Sequence, residues 1–241
     1  MPYRREQFVN GEIYHIVMRR IGDDLLFIDA DDYYRGIFSI YEFNTVDPVI
    51  IREQRKARIK IKTIKSQLPV ADSRDKLVEV LVFCLMPNHI HLLLRQLKEG
   101  GITKFMNKIG AGYPAYFKQK YNLRNVKNKG YFFQGRFTSV HIKTNEQLKI
   151  IFVYIHTNPT SLIEPKWKEI GIKNSDEVIK FLENYKWSSY PDYIGKKNFP
   201  SVTDREFILK AINNEQNCKN FVENWIRYKG EIREFGELAL E

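Results

Sequence analysis

Cysteine is scarce: Cys84 and Cys218 are the two in 241 residues, and they lie far apart. A scaffold of several disulfides is thereby excluded, one bridge is left open, and the usage suits a reducing, cytoplasmic compartment. Long apolar runs are missing too. None approaches the roughly 20 residues needed to span a bilayer. The opening Met1-Pro2-Tyr3-Arg4-Arg5-Glu6 is followed by no apolar region of the kind a signal peptide carries. Internal repeats and low-complexity linkers are also absent, which fits one sizeable core with an appendage. Acids are in deficit, 29 against 39 lysines and arginines. The net charge of +10 points to a polyanionic partner, either nucleic acid or an acidic membrane surface. What is plentiful is apolar and aromatic side chain, 43% and 14%, enough for a globular rather than a disordered chain.

Local patterns divide the chain into strands and helices. Glu12–Arg20 has β-branched and aromatic content between Gly11 and Gly22, so it reads as a strand. His15 lies within it, as a structural or groove-facing histidine, with metal ligation as the alternative. Asp29 to Asn44 reads as a helix with an acidic start. Val78–Met86 is a second strand. After Gly100-Gly101, Ile102, Phe105, Met106, Ile109, Tyr113, Tyr116 and Phe117 recur at helical spacing, with Pro114 expected to kink or interrupt the helix. Thr138–Ile142 is a strand candidate, and Thr144 with Gln147 opens a helix over Asn145–Thr157 that Pro159 stops. Ser175–Asn184, Asp204–Asn213 and Cys218–Tyr228 read as further helices, the last with Phe221, Val222, Trp225 and Ile226 on one side. These divide into residues 1–190 and a C-terminal helical extension, 191–241.

Residues 50–76 are the most unusual segment. Seven basic residues and one acid fall between Arg52 and Lys65, and Arg58-Ile59-Lys60-Ile61-Lys62 alternates strictly. The stretch reads either as a solvated loop or as a ribbon that tracks phosphates.

The chemistry concentrates in Met86-Pro87-Asn88-His89-Ile90-His91-Leu92-Leu93. Side chains alternate across a strand, so His89 and His91 share a face and stand close enough to grip one ion. Taken alone, they read equally well as two half-buried histidines satisfied by neighbours. The second constellation is Tyr154 with Asn158, four apart and therefore on one face near a helix end. Its bland reading is a core tyrosine with an Asn cap, while His156 points elsewhere, toward packing or the surface. Two imidazoles and an amide oxygen would suit Mg²⁺ or Mn²⁺ beside substrate phosphates. Tyr154 is then the candidate nucleophile, a phenol that needs activation near neutral pH. Its phosphotyrosine product would conserve the energy of the cleaved bond for rejoining.

Four motifs occur in order: Met86-Pro87-Asn88-His89-Ile90-His91-Leu92-Leu93, Gln134-Gly135-Arg136-Phe137, Tyr154-Ile155-His156-Thr157-Asn158-Pro159 and Trp187-Ser188-Ser189-Tyr190. In this the chain resembles the REP-associated tyrosine transposases, relatives of the insertion-sequence transposases within the single-tyrosine HUH endonucleases. The resemblance implies an α+β, ferredoxin-like core with a central antiparallel sheet flanked by helices. It also implies cleavage of single-stranded or hairpin DNA dependent on Mg²⁺ or Mn²⁺, leaving a 5′-phosphotyrosine and a free 3′-OH. His89 and His91 match the metal ligands, Asn158 the third ligand and Tyr154 the nucleophile. Arg4, Arg5, Arg58, Lys60, Lys62, Lys104, Lys108 and Arg136 are the candidate DNA contacts. No membrane role is expected, the compartment is the nucleoid-containing cytoplasm, and monomer and homodimer are both compatible with the resemblance. The chain departs from the family after Pro159, where Thr160-Ser161-Leu162-Ile163 replaces a Val-Arg-Ala-Gly-like run, and in its longer segments 50–76 and 164–184. Two other functions are consistent with the charge and the histidines. One is a domesticated nucleic-acid binder that does not cleave; the other is a zinc hydrolase using His89, His91 and either His15 or His141.

Overall fold

The computed structural model describes residues 7–22, 24–51, 53, 72, 74–123 and 131–238, with side chains described as far as residue 231. Arg4, Arg5, Arg58, Lys60 and Lys62, with the ribbon expected around the last three, lie outside the described residues. The core runs β1 Ile13–Arg19, α1 Ala30–Glu42, β2 Val78–Met86, β3 His89–Gln96, α2 Gly101–Lys120 and β4 Thr138–Ile142. The strands lie side by side as β2-β3-β1-β4, with every neighbouring pair antiparallel. Each helical crossover therefore skips one strand, which is the split βαβ topology of a ferredoxin-like α+β fold.

Strand alternation sorts the side chains into two cores. Tyr14, Ile16, Met18, Phe83, Leu85, Ile90, Leu92 and Leu94 face α1 and α2, which contribute Ile37, Ile40, Phe105, Met106, Ile109 and Tyr113. The opposite face carries Ile13, Val82, Cys84, Met86 and Leu93, and its cover comes from later in the chain. That cover is α3 Asn145–Thr157, the 3-10 turn Asn158–Leu162, α4 Trp167–Ile170, α5 Ser175–Asn184, α6 Tyr190–Tyr193, α7 Glu206–Ile212 and α8 Glu215–Leu238. Ile208, Ile212, Cys218, Val222 and Ile226 share one core with the sheet, so the C-terminal helices complete its second face. Cys84 and Cys218 are both free and buried. A β-bulge between Val80 and Val82 keeps both faces of β2 apolar by absorbing Leu81 as an extra residue.

Caps and turns account for the element boundaries. Asp29 and Asp32 form a reciprocal capping box on α1. Gly100 takes φ +64° at the start of α2, and a Cβ on Gly101 would stand 2.4 Å from the Leu77 carbonyl oxygen, so the glycine pair has two separate causes. Pro114 does not interrupt α2, which runs unbroken through it from Gly101 to Lys120. Tyr113, Pro114 and Phe117 are all buried there, and their packing outweighs the lost backbone hydrogen bond. The final helix is longer than its apolar pattern predicts and splits that pattern: Cys218, Val222 and Ile226 are buried, whereas Phe221 and Trp225 are more than a third exposed. Among the described residues no helix is long and apolar enough to cross a membrane.

Candidate nucleic-acid cleavage site

The site begins with the tight turn Pro87-Asn88 between β2 and β3. Amides of Leu26 and Phe27 donate to the Pro87 carbonyl at 2.7 and 3.0 Å, and the Arg20 amide donates to that of Asn88 at 2.9 Å. The turn is thus held from outside the hairpin, and β3 enters the sheet with His89 and His91 on the face covered by α3. The two rings meet through their Nε2 atoms, 2.9 Å apart. Each outer nitrogen has its own partner: His89 Nδ1 lies 2.6 Å from Asn88 Oδ1, and His91 Nδ1 lies 2.9 Å from His15 Nε2. His15 stands opposite Leu93 in the β1–β3 register, diagonal to His91, so its ring reaches across to stack at 5.2 Å.

Burial dictates the charge of these rings. Desolvation lowers His15 and His89 to about 4, with Arg19 and Lys168 adding to the effect at His89. His91 falls to about 2 through desolvation, then through the charges of His89, His15, Lys168 and Arg19. All three are neutral imidazoles at neutral pH, the form that offers a lone pair to a metal. If His89 and His91 carry their protons on Nδ1, facing Asn88 Oδ1 and His15 Nε2, both Nε2 lone pairs point into one gap. Adjacent ligands about 2.1 Å from an octahedral ion are about 3.0 Å apart, so the gap fits a small divalent cation. Among the described residues, no group of three or more His, Cys, Asp or Glu side chains is placed to hold a metal. His15 faces the far nitrogen of His91, and His141 pairs with Glu12 at 2.8 Å and stacks on Tyr14, on the other face. A three-histidine zinc set is therefore not assembled.

Tyr154 arrives from α3 of the same chain. Its ring lies edge-on to His91 and to His15, with centroids 5.8 and 5.9 Å away, and the residue is 37% exposed. One turn on, buried Asn158 caps α3, donating from Nδ2 to the Tyr154 carbonyl at 2.8 Å. Its Oδ1 accepts from Lys168 Nζ at 3.3 Å, and the same ammonium stands 5.0 Å from the Tyr154 ring centre. Lys168 was missed in the sequence; only its place in the expanded segment 164–184 hinted at it. His156 points away from the site, fully buried, with Nε2 2.9 Å from Ser189 Oγ. Ser189 also takes the Phe83 amide at 3.1 Å, so Trp187-Ser188-Ser189-Tyr190 ties the tyrosine helix to the outer edge of β2.

Other candidate contacts lie elsewhere. Lys104 and Lys108 are on α2, across the sheet from the histidines, and Lys108 Nζ donates to the carbonyls of Thr45 and Asp47. Arg136 follows the run Phe132–Gln134, which is pinned to the end of β1 through Arg19, Arg20 and Ile21, and it borders the α2 side with Met18 and Met106.

A strand-borne imidazole pair faced by a helix-borne tyrosine brings two lone-pair donors and a phenol together at one boundary of the sheet. Residues 48–158 match the family model described as "Transposase IS200 like", and that stretch contains His89, His91, Tyr154 and Asn158. No curated protein matches the chain. A solved structure described as "Structure of the REP associates tyrosine transposase bound to a REP hairpin" is 15% identical, with 86% of this chain and 96% of that chain covered and a TM-score of 0.42.

Proposed function

We propose that the chain is a DNA transposase of the IS200-like type that cuts and rejoins single-stranded DNA beside a hairpin. The observation that carries this reading is the approach of Tyr154 to the His89–His91 pair within one chain. The Tyr154 oxygen attacks a backbone phosphorus, the bond from phosphorus to the 3′ oxygen breaks, and a 5′-phosphotyrosine remains. The phenol gives up its proton, and the departing oxygen takes one up to become a 3′-OH. Attack of a 3′-OH on the phosphotyrosine reverses the step and joins strands.

His89 and His91, with Asn158 once its oxygen leaves Lys168, are the residues to hold Mg²⁺ or Mn²⁺. An ion held there would supply Lewis-acid polarisation of a phosphoryl oxygen. His15 orients His91, and Lys168 places a positive charge where phosphate oxygens collect. With Tyr154 and the histidines of one chain this close, a single protomer would carry a complete site.

The test is a labelled hairpin oligonucleotide with a single-stranded 5′ extension, resolved on a denaturing gel. Wild-type protein should give a slower covalent band that EDTA suppresses, and Tyr154→Phe should lose the band while still binding the hairpin. A band that persists in Tyr154→Phe removes that residue from its role, and undiminished cleavage in EDTA removes the ion. Binding by the wild type without any nicked product would favour a non-cleaving binder on the same fold.

A further inference from the structure

Beside Tyr154 a groove of about 550 Å³ opens between α3 and α8, within the roughly 300–1,000 Å³ of small-molecule sites. Its walls are apolar and aromatic, and beyond Val153 and Trp167 they are not used by the buried core. Helix α8 already buries one stripe, Cys218, Val222 and Ile226, in the core. A second stripe at helical spacing, Phe221, Trp225 and Tyr228, faces the groove with exposures of 38, 39 and 52%. Across from it Ile150 is 68% exposed. Trp225 and Tyr228 stand 6.0 Å apart at 42°, tilted rather than stacked on each other.

Three lysines border these rings. Lys149 Nζ lies 5.8 Å from the Phe221 ring centre, Lys229 Nζ 5.5 Å from that of Trp225, and Lys168 Nζ 5.0 Å from that of Tyr154. None of the described residues lining the groove is Asp or Glu. Aromatic faces interleaved with cations are the surface that unpaired nucleic acid selects, since every base has a π-face and every linkage a charge. A second copy of the chain is disfavoured, because a symmetric contact would set the same lysines against one another.

We propose that this groove binds the unpaired DNA flanking the cleaved phosphate, with bases stacked on Trp225 and its aromatic neighbours and phosphates held by Lys149 and Lys229. The proposal rests on the DNA-cleaving reading and adds a place for the strand that leads to Tyr154.

The test compares two fluorescent oligonucleotides by anisotropy, a blunt hairpin and the same hairpin with a single-stranded extension. Trp225→Ala should weaken binding of the extended hairpin about tenfold, the loss of about one stacked base, and leave the blunt one unchanged. Trp225→Phe, which keeps a π-face, should retain most of the affinity. Trp225→Ala binding both oligonucleotides as the wild type does, or losing both equally, overturns the proposal. So does a wild-type dimer that Trp225→Ala dissociates with DNA affinity unaltered, since that assigns the groove to a second copy. The covalent-band assay separates the two readings. A band with no Trp225 effect sinks the groove alone. A Trp225 effect confined to the extended hairpin, without any band, sinks cleavage alone.

Discussion

Replacing Ser189 by alanine deletes one oxygen from the joint that carries the tyrosine helix. Ser189 is fully buried, and its Oγ accepts from the Phe83 amide at 3.1 Å, donates to the Phe83 carbonyl at 3.2 Å and meets His156 Nε2 at 2.9 Å. The Ser189 amide still donates to the Phe83 carbonyl at 3.0 Å, so that oxygen keeps a partner in the variant. The Phe83 amide does not. Nor does His156, whose Nδ1 already lacks a partner among the described residues, so the ring would be left with none. Each orphaned buried group costs about 1–3 kcal/mol, so the pair costs about 4 kcal/mol. That is a large share of the 5–15 kcal/mol typical of a whole domain, and it lowers Tm by about 8–16 °C for a chain of this size. Urea titration followed by circular dichroism measures it. His156 is two residues from Tyr154, so formation of the covalent band should slow while hairpin binding is kept. Adding His156→Leu to Ser189→Ala removes both polar partners, and the double variant should lose less than the sum of the singles by about 1 kcal/mol or more. A Ser189→Ala protein within about 0.5 kcal/mol of wild type, or strictly additive singles, would refute this account of the joint.

Two further outcomes follow from the same structure. His15→Phe keeps a planar ring but removes the nitrogen facing His91 Nδ1, so Mn²⁺ affinity measured by calorimetry should fall about 10- to 100-fold; unchanged affinity would deny His15 its orienting role. Asp32 is fully buried on α1. Burial alone would raise its pKa, but hydrogen bonds from Lys120, the Ile28 amide, Tyr121 and Tyr116 outweigh that and hold it below the usual carboxylate value. The stability it contributes is present above about pH 4 and is lost as pH falls through the lowered native value. Asp32→Asn should therefore cost about 1.5–3 kcal/mol at pH 7, with the gap closing in urea titrations below about pH 4; a constant gap would contradict the sign.

Much of this architecture is legible from periodicity. A period of two placed His89 and His91 on one face, and α3 starts and stops where Thr144 and Pro159 say it should. Legibility fails where partners are joined by tertiary structure. His15 reaches His91 only because β1 and β3 pair in a register that sets Val17 opposite His91. Lys168 meets Asn158 from ten residues on, past a 3-10 turn and into α4. Ser189 and His156 are separated by 33 residues, and nothing local to either marks the bond. The basic run within 50–76, the most conspicuous feature of composition, lies largely outside the described residues, while the cations lining the groove beside the phenol are single lysines on separate helices.

The second face of the sheet is covered unevenly, and the site lies where the cover changes. Over β2 and β3 that face is sealed by α3 and the C-terminal helices, which leave Cys84, Met86 and Leu93 almost without solvent. Among the described residues the cover stops over β4: Val140, opposite His15, is 60% exposed, and Thr138, opposite Val17, is exposed as well. The imidazoles lie along this boundary. Burial on one side keeps them neutral and fixed in orientation, and the exposed strand on the other side is where the proposed DNA strand would have to approach. A sheet covered completely would bury the rings beyond reach of a phosphate. One left bare would let them protonate near pH 6.5, and the lone pairs that an ion needs would be lost.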